Sequence, residues 1–226
     1  MQIETKPSPA RPRVPFSSVR AAAAAVRLLA LSAAVLAALV SGRAEAQLRV
    51  ASYNIAKLLG DAASIRAALA EIGADDTVGF AVAPAILAFQ EVRAVDLAAL
   101  DAHVIAAYPG VPYARATYTT SGSEDQGGGA QCAYYRTDLL AEVAQAHRDI
   151  PTGAQRNTDR WLFQLVGYTP SGATRFYLYG SHLKASNTAS DRALRLEGVL
   201  AIRADSDALG AGAHIVYLGD LNFYSN

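Results

Sequence analysis

Asn54, Glu91, His182, Asp220 and Asn222 are the side chains in this sequence with the best claim to chemistry. Two carboxylates can hold a hard divalent cation or take a proton from water. A histidine can pass a proton or donate a hydrogen bond to a developing anion, and amides can orient a water or a phosphoryl oxygen. All of these groups can ligate a hard cation or handle protons on phosphate. The residues are far apart along the chain, so they can meet only if a rigid scaffold brings them together. Each has an ordinary reading when taken alone: Asn54 as an Asx turn, Glu91 as a solvated residue entering a helix, His182 as a surface histidine, Gly219-Asp220 as a turn. What they share is position, since each lies at or just beyond the C-terminal end of a predicted strand, where side chains project into a common rim.

The elements behind them alternate strand and helix. Leu48-Arg49-Val50-Ala51-Ser52-Tyr53-Asn54 alternates in hydropathy and reads as a strand ending at Asn54. Asp61 caps a predicted helix to Ile72, with Ile65, Leu69 and Ile72 at helical spacing. The apolar run Ala85–Phe89 after Pro84 predicts a buried strand that ends in Gln90-Glu91. A second helix is expected over Val95–Ala107, and strands near Tyr113–Tyr118 and Ala130–Arg136 flank a Gly- and Ser-rich loop, Ser121–Gly129. Trp161–Tyr168 and Arg175–Ser181 predict a hairpin around Pro170-Ser171-Gly172. Ser190 is the expected cap of a helix reaching about Ala204, with Asp191 and Arg195 as an i,i+4 pair. His214–Leu218 then forms a strand leading into Gly219-Asp220-Leu221-Asn222.

Other active-site classes lack their residues. No Gly-x-Ser-x-Gly elbow supports Ser181 beside His182 as part of a hydrolase triad. Neither His-Glu-x-x-His nor Cys-x-x-Cys is present, and Gly127-Gly128-Gly129 lacks the Lys-Ser/Thr of a phosphate-binding loop. The single cysteine, Cys132, has no partner for an internal disulfide and reads as a buried strand residue beside Tyr134-Tyr135-Arg136.

Formal net charge is zero, but it is unevenly distributed. Residues 1–46 hold six basic side chains against two acidic ones, which leaves the remainder near −4. That balance argues against a module gripping polyanions by net charge alone. The same 46 residues have the parts of a secretory signal peptide: scattered basic residues, the apolar run Leu28–Val40 broken only by Ser32, and Ala44-Glu45-Ala46 as a small-residue exit. The domain proper is expected to span 47–226, secreted or periplasmic, with no stable membrane span after leader removal. An uncleaved N-terminal anchor is the rival reading.

Four blocks carry a family resemblance. Ser52-Tyr53-Asn54-Ile55, Phe89-Gln90-Glu91-Val92, Ser181-His182-Leu183-Lys184-Ala185 and Gly219-Asp220-Leu221-Asn222 resemble, in order, the motifs of the endonuclease/exonuclease/phosphatase family. The resemblance implies an α/β fold of four layers, two packed mixed sheets covered by outer helices. It implies a divalent cation, Mg²⁺ before Mn²⁺ or Ca²⁺, held by Glu91 with Asn54. It assigns catalysis to His182, Asp220 and Asn222: Asp220 activates the attacking water, Asn222 holds a non-bridging oxygen, and His182 contacts the phosphoryl group or the leaving group. Arg160, with Arg156 close before it, takes the place of a substrate-binding arginine. The implied activity is phosphoester hydrolysis with nucleic acid as leading substrate. A sphingomyelinase or phosphomonoesterase, or a catalytically silent binding module on the same fold, are the alternatives. Two departures stand out. Pro84-Ala85-Ile86 lacks an Asp common in relatives, and no histidine follows Asp220, where the family places a closing Asp-His pair. The sequence is therefore expected to be truncated at its C-terminus, missing the family's last strands, with a degenerate member of the family as the alternative.

Leader removal has a direct readout. Mass spectrometry of exported protein is expected to find Gln47, or its pyroglutamate, at the N-terminus; recovery of an intact leader only in membranes would establish the anchor instead.

Overall fold

The computed structural model describes residues 48–74, 82–120, 124–153 and 156–224. The predicted leader with its cleavage position, and residues 121–123 of the predicted loop, lie outside them. Strand β1 (Val50–Asn54) runs parallel to β2 (Ile86–Val92), which pairs antiparallel with β4 (Ala130–Arg136), and β4 pairs in turn with β3 (Tyr113–Arg115). In the second sheet β7 (Asn157–Leu165) is flanked on one side by the short strands β5 (Leu140–Glu142) and β6 (Arg148–Pro151). On its other side lies antiparallel β8 (Arg175–His182), followed by parallel β9 (Ile215–Asp220) at the edge.

Three buried clusters define the layers. Helices α1 (Ala62–Gly73) and α2 (Leu97–Ala107) put Ile65, Leu69, Leu100 and Val104 onto Leu87, Phe89, Cys132 and Tyr134 of the first sheet. Ile86 and Ala133, on the other face of that sheet, meet Trp161, Phe163 and Leu178 of the second sheet. Helix α3 (Ala189–Ala208) covers the far face of the second sheet, with Ile202 against Ile150, Tyr179 and Leu183. The result is an α/β/β/α sandwich, and β2 is apolar nearly throughout because both of its faces are covered. Tyr134 joins the outer cluster, while its neighbour Tyr135 packs against the inter-sheet one, as strand alternation requires.

The structure corrects several sequence expectations. β7 begins at Asn157, earlier than the predicted Trp161, because Thr158, Asp159 and Arg160 are polar yet buried. Each has a partner inside: the Ser181 hydroxyl at 3.0 Å, His147 at 3.0 Å and Asp205 at 2.6 Å. A hydropathy pattern cannot distinguish such residues from a loop. Strands β5 and β6 gave no hydropathy signal, being short. Helix α3 is capped by Thr188, not Ser190: the Thr188 hydroxyl accepts from Asp191 N–H while the Asp191 carboxylate accepts from Thr188 N–H. Asp191 consequently pairs with Lys184 at 3.1 Å and not with Arg195. The Arg195 guanidinium instead donates to the Lys184 and Ser186 carbonyls. Within the predicted Gly-rich loop, Glu124–Gly128 forms a short helical turn with Glu124 buried.

Cys132 lies at the centre of β4 opposite Phe89, 1% exposed, and burial pushes its thiol pKa far up. It is expected to resist a thiol reagent in the native protein at about pH 8 and to react fully once denaturant unfolds the domain. Rapid native labelling would contradict the placement of β4 between β2 and β3.

Candidate active site

The site forms where two parallel strand pairs, one from each sheet, end at the same edge of the sandwich. Pairing of β1 with β2 sets Asn54 beside Gln90, and pairing of β8 with β9 sets His182 beside Asp220. Glu91 would point away from this edge if β2 were regular, since Leu87 and Phe89 face the outer helices. A bulge prevents that. Between Phe89 and Val92 the strand carries one residue more than its partner segment Ala130–Cys132, and Glu91 takes φ +58°. The turn over Glu91 is so tight that a Cβ on Gly129 would lie 2.4 Å from the Glu91 carbonyl carbon. Gly219 plays the same part under Asp220: it has φ +132°, and a Cβ there would sit 1.9 Å from the Ser181 carbonyl oxygen. Glycine at these two positions is what lets the carboxylates converge.

Asn54 joins them. Its Nδ2 donates to Glu91 Oε1 at 3.2 Å and to Asp220 Oδ2 at 3.1 Å, across the two sheets. Its Oδ1 accepts from Ala56 N–H at 2.9 Å, which fixes which end of the amide faces the carboxylates. Asp220 Oδ1 accepts from Asn222 N–H, and the Asn222 side chain donates to the Leu183 carbonyl at 3.0 Å. His182 Nε2 lies 3.8 Å from both Glu91 Oε1 and Asp220 Oδ2.

His182 is 3% exposed, and its Nε2 is 2.8 Å from Arg156 Nη1. A guanidinium can only donate, so Nε2 accepts and Nδ1 carries the proton of a neutral ring. Burial and the Arg156 charge push the His182 pKa down to about 4, against the opposing pull of Asp220 and Glu91. Nδ1 is buried and without a hydrogen-bond partner among the described residues.

The structure brings Asn54, Glu91, His182, Asp220 and Asn222 together, but not Arg160. That side chain lies on the opposite face of β7, under α3, bound to Asp205 at 2.6 Å and stacked over Tyr177. Strand alternation is the reason: Arg160 follows Thr158 on one face, whereas Asp159 and Trp161 face the inter-sheet core. The arginine at the site is Arg156, just before β7, tethered by the Thr152 hydroxyl on its carbonyl and by its own contact with the Leu183 carbonyl. No periodicity could have separated the two arginines, because the start of β7 was itself hidden.

A second group, His147, Asp149 and Asp159, has ligating atoms within 4.8 Å of one another. These atoms are engaged among themselves: His147 Nε2 with Asp159 Oδ1 at 3.0 Å, and both carboxylates with the Thr119 hydroxyl. Burial pushes the Asp159 carboxyl up to about 7. Burial also opposes charge on His147, but the Asp159 hydrogen bond and nearby carboxylates outweigh it and raise its pKa. The His147–Asp159 hydrogen bond thus fastens the turn before β6 to β7. An apolar cavity between α3 and β9, lined by Leu183, Ile202, Ile215 and Tyr217, lies outside the polar cluster.

Comparison with known proteins agrees with this architecture. Residues 51–226 match the model of the Endonuclease/Exonuclease/phosphatase family, and the chain belongs to that family. Among solved structures it is similar to D. rerio TDP2 complexed with single-strand DNA product, at 18% identity and TM-score 0.58, covering 80% of this chain and 63% of that one. It is also similar to an endonuclease/exonuclease/phosphatase family protein from Bacteroides thetaiotaomicron, at 17% identity and TM-score 0.52, covering 77% and 63%. The chain thus spans less than two thirds of the length of either structure, and at these identities the likeness is one of fold. No curated protein matches.

The neutral His182 has a measurable consequence. Its folded pKa lies below the ordinary 6.5, so the unfolded chain binds more protons between about pH 6.5 and 4. Its contribution to stability is therefore present above pH 6.5 and lost as the pH falls through about 4. With chelator present, the drop in unfolding free energy from pH 8 to 4.5 should be smaller in His182→Gln than in the wild type by about 2.5 kcal/mol. Urea titrations of both proteins at the two pH values measure it; equal drops would show His182 to be solvated.

Proposed function

We propose that the protein is a secreted, divalent-metal-dependent phosphodiesterase that cleaves nucleic acid by attack of water on phosphorus. The observation that carries this reading is the convergence of Glu91, Asn54 and Asp220 through one amide, with His182 and Arg156 beside them. The leader-like first 46 residues support export. The D. rerio TDP2 structure holds a single-strand DNA product on the same fold, which supports a nucleic-acid substrate. Among the described residues no helix is long and apolar enough to cross a membrane.

The donor set fits a hard cation. Glu91 and Asp220 are like charges turned toward each other with a single neutral amide between them, and oxygen donors of this kind suit Mg²⁺. Glu91 would hold the ion, with Asp220 across from it. Asn54 becomes an oxygen ligand only by giving up the Ala56 hydrogen bond and turning its amide over. A divalent cation held there would supply polarisation of a phosphoryl oxygen and compensation of charge on the departing oxygen.

The remaining roles follow from the contacts. Asp220, held at one oxygen by Asn54 and at the other by the Asn222 backbone, is oriented to accept a proton from the attacking water. Arg156 offers a planar pair of donors for non-bridging oxygens. His182 starts neutral at physiological pH, which favours hydrogen bonding to the phosphoryl group over protonation of the leaving group. Trading its Arg156 bond for the substrate is the step that would free both groups.

Glu91→Gln keeps volume and removes charge, and is expected to lower turnover on single-stranded DNA about 10²-fold or more while leaving the fold intact. Excess EDTA should abolish wild-type activity, and Mg²⁺ should restore it. Full activity of the variant, or indifference to chelator, would overturn the metal-dependent reading.

A further inference from the structure

Immediately after Asn54 the backbone does something costly. Ala56, Lys57 and Leu58 have φ of +45°, +60° and +52° in succession, and none is glycine. Each L-residue there brings its Cβ too near its own carbonyl, so such residues normally occur singly. The surroundings hold the turn at both ends. Ala56 N–H is fixed on Asn54 Oδ1, and Leu58 N–H bonds the Ile55 carbonyl at 2.9 Å. Ile55 is buried, and Leu58 packs against the cluster around Phe89. Arg93, paired doubly with Asp96, donates to the Lys57 carbonyl at 3.2 Å.

The one group at the turn that gains nothing from this arrangement is the Lys57 ammonium. Of the other cations near the rim, Arg93 is neutralised by Asp96 and Lys184 by Asp191, while Arg156 is engaged with His182 and the Leu183 carbonyl. The Lys57 ammonium has no hydrogen bond or ion pair among the described residues, and the turn that carries it is anchored on the Asn54 side chain at the site. Strain maintained by its neighbours, ending in an unpaired cation beside a phosphoester site, calls for a ligand rather than a structural role.

We propose that Lys57 contacts a second phosphate of the substrate, one step along the strand from the phosphate engaged by Glu91, Asp220, His182 and Arg156. It thereby gives the site a preference for polynucleotide over an isolated phosphoester. The inference rests on the phosphodiesterase reading above. An ammonium is a compact point charge that accepts a phosphate from several directions, so the contact positions a strand without reading its sequence. The turn also ties this subsite to the reacting one, because the same Asn54 side chain that bridges Glu91 and Asp220 anchors Ala56.

The test compares the wild type, Lys57→Asn and Lys57→Arg on two substrates with Mg²⁺: a short oligothymidylate and the small diester bis(p-nitrophenyl) phosphate. Asparagine tolerates the left-handed backbone, so the variant removes charge without forcing the turn to refold; thermal melts confirm that it folds. Lys57→Asn is expected to raise KM for the oligonucleotide about tenfold with kcat within about twofold. It should also make the salt dependence of binding shallower by about 0.7 in log–log slope. Hydrolysis of the small diester should be unchanged, and Lys57→Arg should restore the oligonucleotide KM. Equal losses on both substrates, or an unaltered salt slope with a folded variant, would overturn the assignment of Lys57 while leaving the phosphodiesterase reading intact. A wild type that hydrolyses neither substrate would remove both.

Discussion

One amide nitrogen ties the two sheets together where the chemistry lies. Asn54 Nδ2 reaches Glu91 within the first sheet and Asp220 in the second, so one hydrogen bond of 3.1 Å crosses between the sheets at this edge. Two carboxylates facing each other repel, and a single neutral donor offsets that repulsion only in part. The arrangement is stable because the rest of the sandwich enforces it. Trp161, Phe163 and Leu178 pack against Ile86 and Ala133 between the sheets, fixing their spacing behind the site.

Reaching that geometry requires departures from regular structure. Glu91 leaves its strand's alternation at a bulge, Asn222 has φ +50°, and residues 56–58 turn left-handed after Asn54. Two glycines absorb the crowding: Gly129 lies against the Glu91 backbone and Gly219 against Ser181. The irregular backbone is thus concentrated around the carboxylates, whereas the sheet ladders behind them are ordinary. Strain gathered in one place and supported by a dense core is how a fold keeps a reactive arrangement that its local sequence would not adopt.

Charge is sorted by face. On β7, Arg160 turns outward to Asp205 beneath α3, and Asp159 turns inward to hydrogen-bond His147. Arg156, before the strand, is the cation that meets His182. Pairing the two interior charges leaves the site's potential to Arg156, Lys57 and the two carboxylates. On the proposed reading these groups would act on an anionic substrate.

The sequence by itself determined the alternation of strands and helices and the strand-end side chains of the candidate site, and its motifs implied the four layers through the family resemblance. Apolar runs ending in Asn54, Gln90-Glu91, His182 and Asp220 already place those side chains at strand ends, because a buried strand must emerge where its hydrophobic run stops. The spacing of Ile65 and Leu69 likewise requires a helix on the core. Tertiary structure alone decided what hydropathy cannot encode. Thr158, Asp159 and Arg160 extend β7 because distant residues satisfy their polar groups, and that extension is what sends Arg160 away from the site and leaves Arg156 in it. The direction of Glu91 depends on a bulge whose extra residue exists only relative to its partner segment on β4. The capping of α3 by Thr188 turns on Asp191 choosing Thr188 and Lys184 over Arg195, a contest between contacts of similar chemistry that only the folded geometry resolves. Local pattern reports which groups are hidden from water; which polar partner each one meets is a property of the assembled fold.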